Sequence, residues 1–122
     1  PIQALAEIKE RFQAEVIFAY LCEAHAVDTW PLSPEGRASH KSMEDRREAV
    51  AAFLARFPEF HALVSAVVVD DMTDATTVAN GLWPERWVVL EDGVVRWTSS
   101  LAGDQGPVGR DLVAAAEAVY EG

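Results

Sequence analysis

Two short apolar runs set the limits on what this chain can fold into. EVIFAYLC at residues 15–22 and LVSAVVVD at 63–70 are continuous and rich in β-branched side chains. Such runs suit strands covered on both faces. Between them lies an amphipathic helix. Ser42 is placed to cap it, Asp45 to return the hydrogen bond, and Pro58 to end it, while Ala49, Val50, Phe53 and Leu54 form its buried stripe. Strand, helix, strand in that order asks for a right-handed parallel crossover.

The flanks complete the pattern. Residues 3–14 place Leu5, Ile8 and Phe12 on one helical face, with Pro1 as a start signal. Residues 24–41 read as a loop through Pro31, Pro34 and Gly36, and a short helix near 74–80 stops at Gly81. Arg86–Leu90 and Val94–Thr98 flank Asp92-Gly93, a pair that accepts the positive φ of a tight hairpin. After a loop to about 106, a closing helix turns Leu112, Val113, Ala116, Val119 and Tyr120 inward. The expected order is α, β, α, β, short α, β, β, α: a mixed sheet with helices on both faces, an α/β domain spanning 1–122.

Charge narrows the function classes. Ten basic residues against twenty acidic ones give a formal charge of -10, which repels phosphate backbones and argues against nucleic-acid binding. No apolar run approaches a membrane span, and the first residues carry no charged-then-apolar leader. The single cysteine rules out an internal disulfide and a tetrathiolate zinc site. A soluble protein of the reducing cytoplasm is the expectation.

The chemistry gathers in YLCEAHAVDTW, residues 20–30. Glu23 and His25 lie two apart, so an extended chain points both to one side, at the carboxyl end of a strand where ligands of α/β sheets bind. A proton source held against an imidazole is one reading; two solvated loop residues, or a His25 that bonds a backbone carbonyl, is the other. His40, ahead of the second helix, either closes the same pocket or is an ordinary exposed histidine, and the helix N-terminus disfavours its charged form. His61 reads as surface. A metal set drawn from His25, His40 and Asp28 or Glu23 has no metal-specific spacing. Cys22 shares the parity of Phe18 and Tyr20 and lies beside Glu23, which would raise its pKa; it reads as a structural thiol. Asp70 and Asp71 point to opposite faces and read as a solvated strand exit.

Five ordered segments resemble the iodothyronine deiodinase family and its bacterial relatives. YLCEAHAVDTW resembles the family's strand-to-loop segment, and HKSMEDR (40–46) its His-x-Ser-x-Glu-Asp-Arg helix entry. VVVDDM (67–72) resembles its Val-Val-x-Asp-x-Met strand, PERWVVLEDGVVRW (84–97) its Pro-Glu-Arg hairpin, and Gly106-Pro107 the Gly-Pro before its last helix. The Ala/Val/Arg usage has a bacterial look.

The resemblance implies a thioredoxin-like, peroxiredoxin-related fold and reductive removal of halogen from an aromatic ring, with a thiol reductant as electron donor and no cofactor in this chain. Tyr20, Glu23, His25, His40 and Glu85 match family positions of the substrate pocket or proton delivery. Glu23 and His25 are expected in catalytic roles, with Tyr20, His40, Glu85 and Trp30 on the substrate, a small and possibly halogenated aromatic. Pro84 resembles the cis-proline that precedes a strand in thioredoxin-like folds.

In two respects the chain departs from the family. It enters the pattern inside the first helix, so the family's first central strand and its cysteine or selenocysteine nucleophile fall outside these residues. SSLAGDQGP (99–107) holds none of the Arg or Lys that the family often carries there, so carboxylate recognition is not carried over. The two function readings are therefore a deiodinase-like redox domain whose nucleophile lies elsewhere, and a non-catalytic thioredoxin-like binding or assembly module. In either, the gap left by the first central strand closes by direct strand pairing, by a swapped segment from a second copy of the chain, or by an N-terminal segment.

Overall fold

The computed structural model describes residues 2–100 and 108–122, the side chains of 108 and 109 excepted. Pro1 and residues 101–107 lie outside the described residues, and with them the expected start signal, most of the last loop and the Gly106-Pro107 match.

The order is α1 (Ile2–Phe12), β1 (Ile17–Tyr20), α2 (Met43–Arg56), α3 (Pro58–Leu63), β2 (Ala66–Val69), α4 (Ala75–Asn80), β3 (Val88–Glu91), β4 (Val94–Thr98) and α5 (Val108–Tyr120). β1 and β2 pair in parallel, Ile17 opposite Ala66 through Tyr20 opposite Val69, with α2 in the crossover. β3 and β4 form the antiparallel hairpin. Asp92 (φ 51°) and Gly93 (φ 76°) make its turn with the positive angles that this pair tolerates.

Five helices and two small sheets result among the described residues, rather than the single mixed sheet expected. The parallel and antiparallel halves are both present, but β1 and β3 are not hydrogen-bonded to each other. Nor are the parallel strands covered on both faces: Ile17 is 55% exposed and Val68 47%. Apolar composition records that a strand wants cover, not where the cover comes from. Both strands are also shorter than their apolar runs.

The main core joins α1, α5 and β3 through Leu5, Ile8, Val89, Leu112, Ala115 and Ala116. Phe12 packs on its edge, so the stripe expected on α1 is the one observed. Tyr120 is more exposed than expected, yet its hydroxyl donates to the Leu90 carbonyl at 2.6 Å and ties α5 to β3. A second, aromatic group fills the space between β1 and the helices α2 and α3: Phe18 lies 5.3 Å from Phe53 and 5.1 Å from Phe60, centroid to centroid. Pro58 ends α2, as expected, but also opens α3, where its fixed φ suits the first turn. His61 rides exposed on that helix.

Local signals fix the other ends. Ser42 accepts from the Asp45 N–H at 3.1 Å; Asp45 returns its bond one residue early, to the Lys41 N–H at 2.8 Å. Gly81 closes α4 in the left-handed region. The Trp83-Pro84 bond is cis, as its motif suggested.

Truncating Leu112 to Ala is expected to cost about 3 kcal/mol, as deletion of a buried Leu from a packed core does. Val95→Ala, on the half-exposed hairpin, is expected to stay within about 0.5 kcal/mol. Urea denaturation of both variants measures the contrast, and equal losses would place the core elsewhere.

Candidate functional site

β1 points Phe18 and Tyr20 to the same side, since alternate strand residues share a face. With Phe18 held by Phe53 and Phe60 and lying 6.0 Å from the Tyr20 ring, the phenol is aimed from the core outward past α2. Its hydroxyl donates to Glu23 Oε1 at 2.5 Å. Burial, reinforced by the Glu23 hydrogen bond and charge, pushes the Tyr20 pKa well above the ordinary phenol value, so its proton stays on.

The partner that meets this pair is His40. Its side chain is only 3% exposed, its ring lies 5.9 Å from that of Tyr20, and its Nε2 stands 3.5 Å from Glu23 Oε1. The alternative of an ordinary exposed histidine is thereby set aside. The loop between is closed by its own hydrogen bonds: Val27 N–H donates to the Arg37 carbonyl at 2.8 Å, and Asp28 Oδ1 accepts from the Ser39 N–H (2.7 Å) and hydroxyl (2.9 Å). Those Ser39 bonds, backbone first, hold the Asp28 carboxyl below its usual range. Asp28 is thus a loop clamp, and the clamp delivers the next residue, His40, to Glu23.

His25 goes elsewhere. Its ring packs on Trp30 with centroids 4.6 Å apart, and its Nδ1 lies 3.2 Å from the Trp30 carbonyl oxygen. No hydrogen bond or ion pair joins it to Glu23 among the described residues. The two-residue parity fails because the chain turns at Ala24–His25, directly after Glu23, instead of running on extended. The acid's imidazole is therefore His40, and the backbone-carbonyl reading of His25 is the one observed. Trp30 is exposed beside His25, and Glu85 is exposed, with no hydrogen bond to the cluster among the described residues. Of the set His25, His40 and Asp28 or Glu23, only His40 and Glu23 meet, and no group of three potential ligands lies together among the described residues.

The residue that sequence reasoning missed is Arg46. Its Nε donates to His40 Nδ1 at 3.2 Å, and its Nη1 to the carbonyls of Asp70 (2.9 Å) and Asp71 (2.7 Å) and to Asp74 Oδ1 (3.1 Å). A signal was there to be read. Positions 46, 49, 50, 53 and 54 share one helical face, so an arginine stood on the apolar stripe of α2, where it needs buried partners. Asp70 was also misread. It is buried, not a solvated exit, and its carboxylate accepts from Thr77 N–H (2.8 Å), Thr77 hydroxyl (2.6 Å) and Thr76 N–H (3.0 Å), capping α4. Burial alone would raise its pKa, but these bonds outweigh it and hold the acid far below the usual range.

Cys22 is half-buried. Burial first, and then the Asp74 charge, raise its thiol pKa, with Asp74 rather than Glu23 as the charged neighbour that does so.

With this geometry established, similarity to known proteins can be placed on it. The family model described as Iodothyronine deiodinase matches residues 2–117. The chain belongs to the iodothyronine deiodinase family. It is 30% identical over 112 residues to the Thyroxine 5-deiodinase of Ovis aries, covering 88% of this chain and 35% of that protein. The Thyroxine 5-deiodinase of Homo sapiens is 31% identical over 112 residues, covering 88% and 34%. The Type I iodothyronine deiodinase of Xenopus laevis is 29% identical over 97 residues, covering 79% and 35%. The chain thus spans about a third of the length of these deiodinases.

Two pH effects follow from the site. The His40 pKa is lowered, chiefly by burial and also by the Arg46 and Arg37 charges, with Glu23 opposing. A lowered histidine pKa means that the unfolded chain binds its proton more readily. His40 therefore contributes stability that is complete above the unfolded value of about 6.5 and lost as pH falls through the lower folded value. Urea midpoints measured from pH 7.5 down to 5 should fall, and His40→Gln should flatten that slope. For Asp70 the depressed pKa gives stability present above about 3.9 and lost as pH falls further. Asp70→Ala, which leaves three donors at the start of α4 without their acceptor, is expected to cost about 3 kcal/mol at pH 7, measured the same way.

Proposed function

We propose that this chain forms the substrate-side wall of a thioredoxin-like reductive dehalogenation site. The observation that carries the reading is the Tyr20–Glu23–His40 cluster at the carboxyl end of β1, in a chain that belongs to the deiodinase family. The nucleophile, a cysteine or selenocysteine, comes from a segment preceding α1.

In this reading the thiolate or selenolate takes the halogen from an aromatic ring, and the electron pair of the carbon–halogen bond stays on the ring carbon. That carbon then needs a proton. The Tyr20 hydroxyl, which donates to Glu23 Oε1 across 2.5 Å and stays protonated until the far more basic ring carbanion forms, supplies it, and one of the protons released by the thiol reductant restores the phenol. His40, neutral at pH 7, holds its Nε2 side towards the Glu23 carboxylate, and His25 and Trp30 form an aromatic wall. Two equivalents of thiol reductant then convert the sulfenyl or selenenyl halide back to the free nucleophile, releasing halide and a disulfide. Glu85, exposed beside cis-Pro84, stays outside the cluster.

The preceding segment would also complete the sheet between β1 and β3. Two-stranded sheets are marginal alone, and the open Ile17 and Val68 side chains support a further covering element. The competing reading, a binding module without chemistry, shares this architecture and differs only in lacking the nucleophile.

Iodide release from an iodinated phenol with dithiothreitol, catalysed by the protein as its cell translates it, tests the reading. Glu23→Gln is expected to lower the rate by about 10²–10⁴, the range of a lost acid–base group, with the fold intact. No iodide above the thiol-only background would leave the module reading in its place.

A further inference from the structure

We propose that Arg46 is a positioning residue that decides which nitrogen of His40 carries the proton. The inference rests on the reading of Tyr20, Glu23 and His40 as the proton-delivering cluster, and it deepens that reading.

A guanidinium keeps its protons at any pH a protein survives and offers only donors. Arg46 Nε faces His40 Nδ1 at 3.2 Å, so Nδ1 must present its lone pair to that N–H. A neutral imidazole has one proton, which is therefore on Nε2. The guanidinium cannot swing away to release the ring, because its Nη1 is fixed by the two carbonyls at the end of β2 and by Asp74. Arg46 is itself buried, so the interaction is not diluted by water.

The consequence falls on the other side of the ring. Nε2 points towards Glu23 Oε1 at 3.5 Å, but that oxygen already accepts the Tyr20 hydroxyl at 2.5 Å. His40 Nε2 is left as a buried polar atom with no aligned hydrogen-bond partner among the described residues. Buried donors are nearly always satisfied, and one that is not calls for an explanation. Here the facing acceptor is the Glu23 carboxylate, whose Oε1 stands 3.5 Å away and is already engaged by Tyr20, so the Nε2 hydrogen is held towards the acid. Were the proton on Nδ1, it would oppose the arginine N–H, and Nε2 would turn a lone pair towards the carboxylate and repel it.

The groups that face the imidazole are Tyr20 and Glu23 from the exit of β1, Arg37 from the loop and Arg46 from α2. Of these, Arg46 alone contacts Nδ1, and both arginines disfavour a second proton on the ring, as burial does.

Long-range proton–nitrogen NMR of the protein as its cell translates it, labelled at histidine and arginine, reads the tautomer without any substrate. At pH 7.5 His40 is expected as the Nε2–H form, with a scalar coupling across the hydrogen bond between Arg46 Nε and His40 Nδ1. In Arg46→Gln that coupling is lost and the proton affinity of His40 rises about tenfold, as removal of a close like charge allows. A wild-type His40 protonated on Nδ1, or an imidazolium at pH 7.5, would overturn the proposal. So would a folded Arg46→Gln with unchanged His40 titration. Should that variant fail to fold, the wild-type spectrum decides alone. Because the spectrum needs no turnover, a chain that releases no iodide yet shows the expected tautomer defeats the dehalogenation reading and leaves the Arg46 assignment standing.

Discussion

A guanidinium cannot shed its charge, so burying Arg46 obliges the fold to bring acceptors to it. They come from three places: the His40 ring ahead of α2, the carbonyls of Asp70 and Asp71 at the exit of β2, and the Asp74 carboxylate at the start of α4. Strand exits and helix starts are where a chain is least constrained by its own regular hydrogen bonds. One charge on the first turns of α2 therefore pins several such places together. Asp70 extends the constraint, since its carboxylate is engaged by the first N–H groups of α4 while its carbonyl is held by the arginine. Through His40 and Glu23 the same charge reaches the exit of β1, and the geometry of the candidate site follows from keeping one buried cation satisfied.

An apolar counterpart runs beside this polar frame. Phe60, Phe18, Tyr20 and His40 form a continuous series of ring contacts, each 5.1–6.0 Å from the next, leading from the aromatic group to the site. Aromatic side chains have few rotatable bonds, and such contacts stabilise each ring's placement beyond the area they bury. The phenol and the imidazole thus meet Glu23 already oriented, which is what a proton-transferring arrangement requires before a substrate arrives. The same burial keeps the phenol protonated and the imidazole neutral, so one environment sets both protonation states.

What could be read in the sequence was what is local. The Asp92-Gly93 turn, the Ser42 cap, the Gly81 stop and the stripe of Leu5 and Ile8 all depend on neighbours within a turn or two, and all stand where expected. Family likeness supplied the residues of the cluster, including His40. Pairing within the cluster was not legible. Parity along a strand joined Glu23 to His25 and failed at the turn that begins one residue later, whereas the true partner lies seventeen positions on and is delivered by the Asp28–Ser39 clamp. Arg46 was visible as a charge on an apolar stripe, but its acceptors are mostly backbone carbonyls, which no side-chain pattern announces.

The division of β1 into two faces bears on how much of the site depends on what covers the rest of the sheet. Phe18 and Tyr20 point towards α2 and α3, and every contact that builds the Tyr20–Glu23–His40 cluster comes from that side or from the loop. Ile17 and Ala19 point the other way, on the face shared with Val68, and Ile17 and Val68 remain half-exposed. A strand completing the sheet adds hydrogen bonds at an edge and cover on that second face. It need not rearrange the first. The Tyr20–Glu23–His40 cluster is therefore preorganised by α2 and the buried arginine, and under the proposed reading a nucleophile-bearing segment would meet it already assembled.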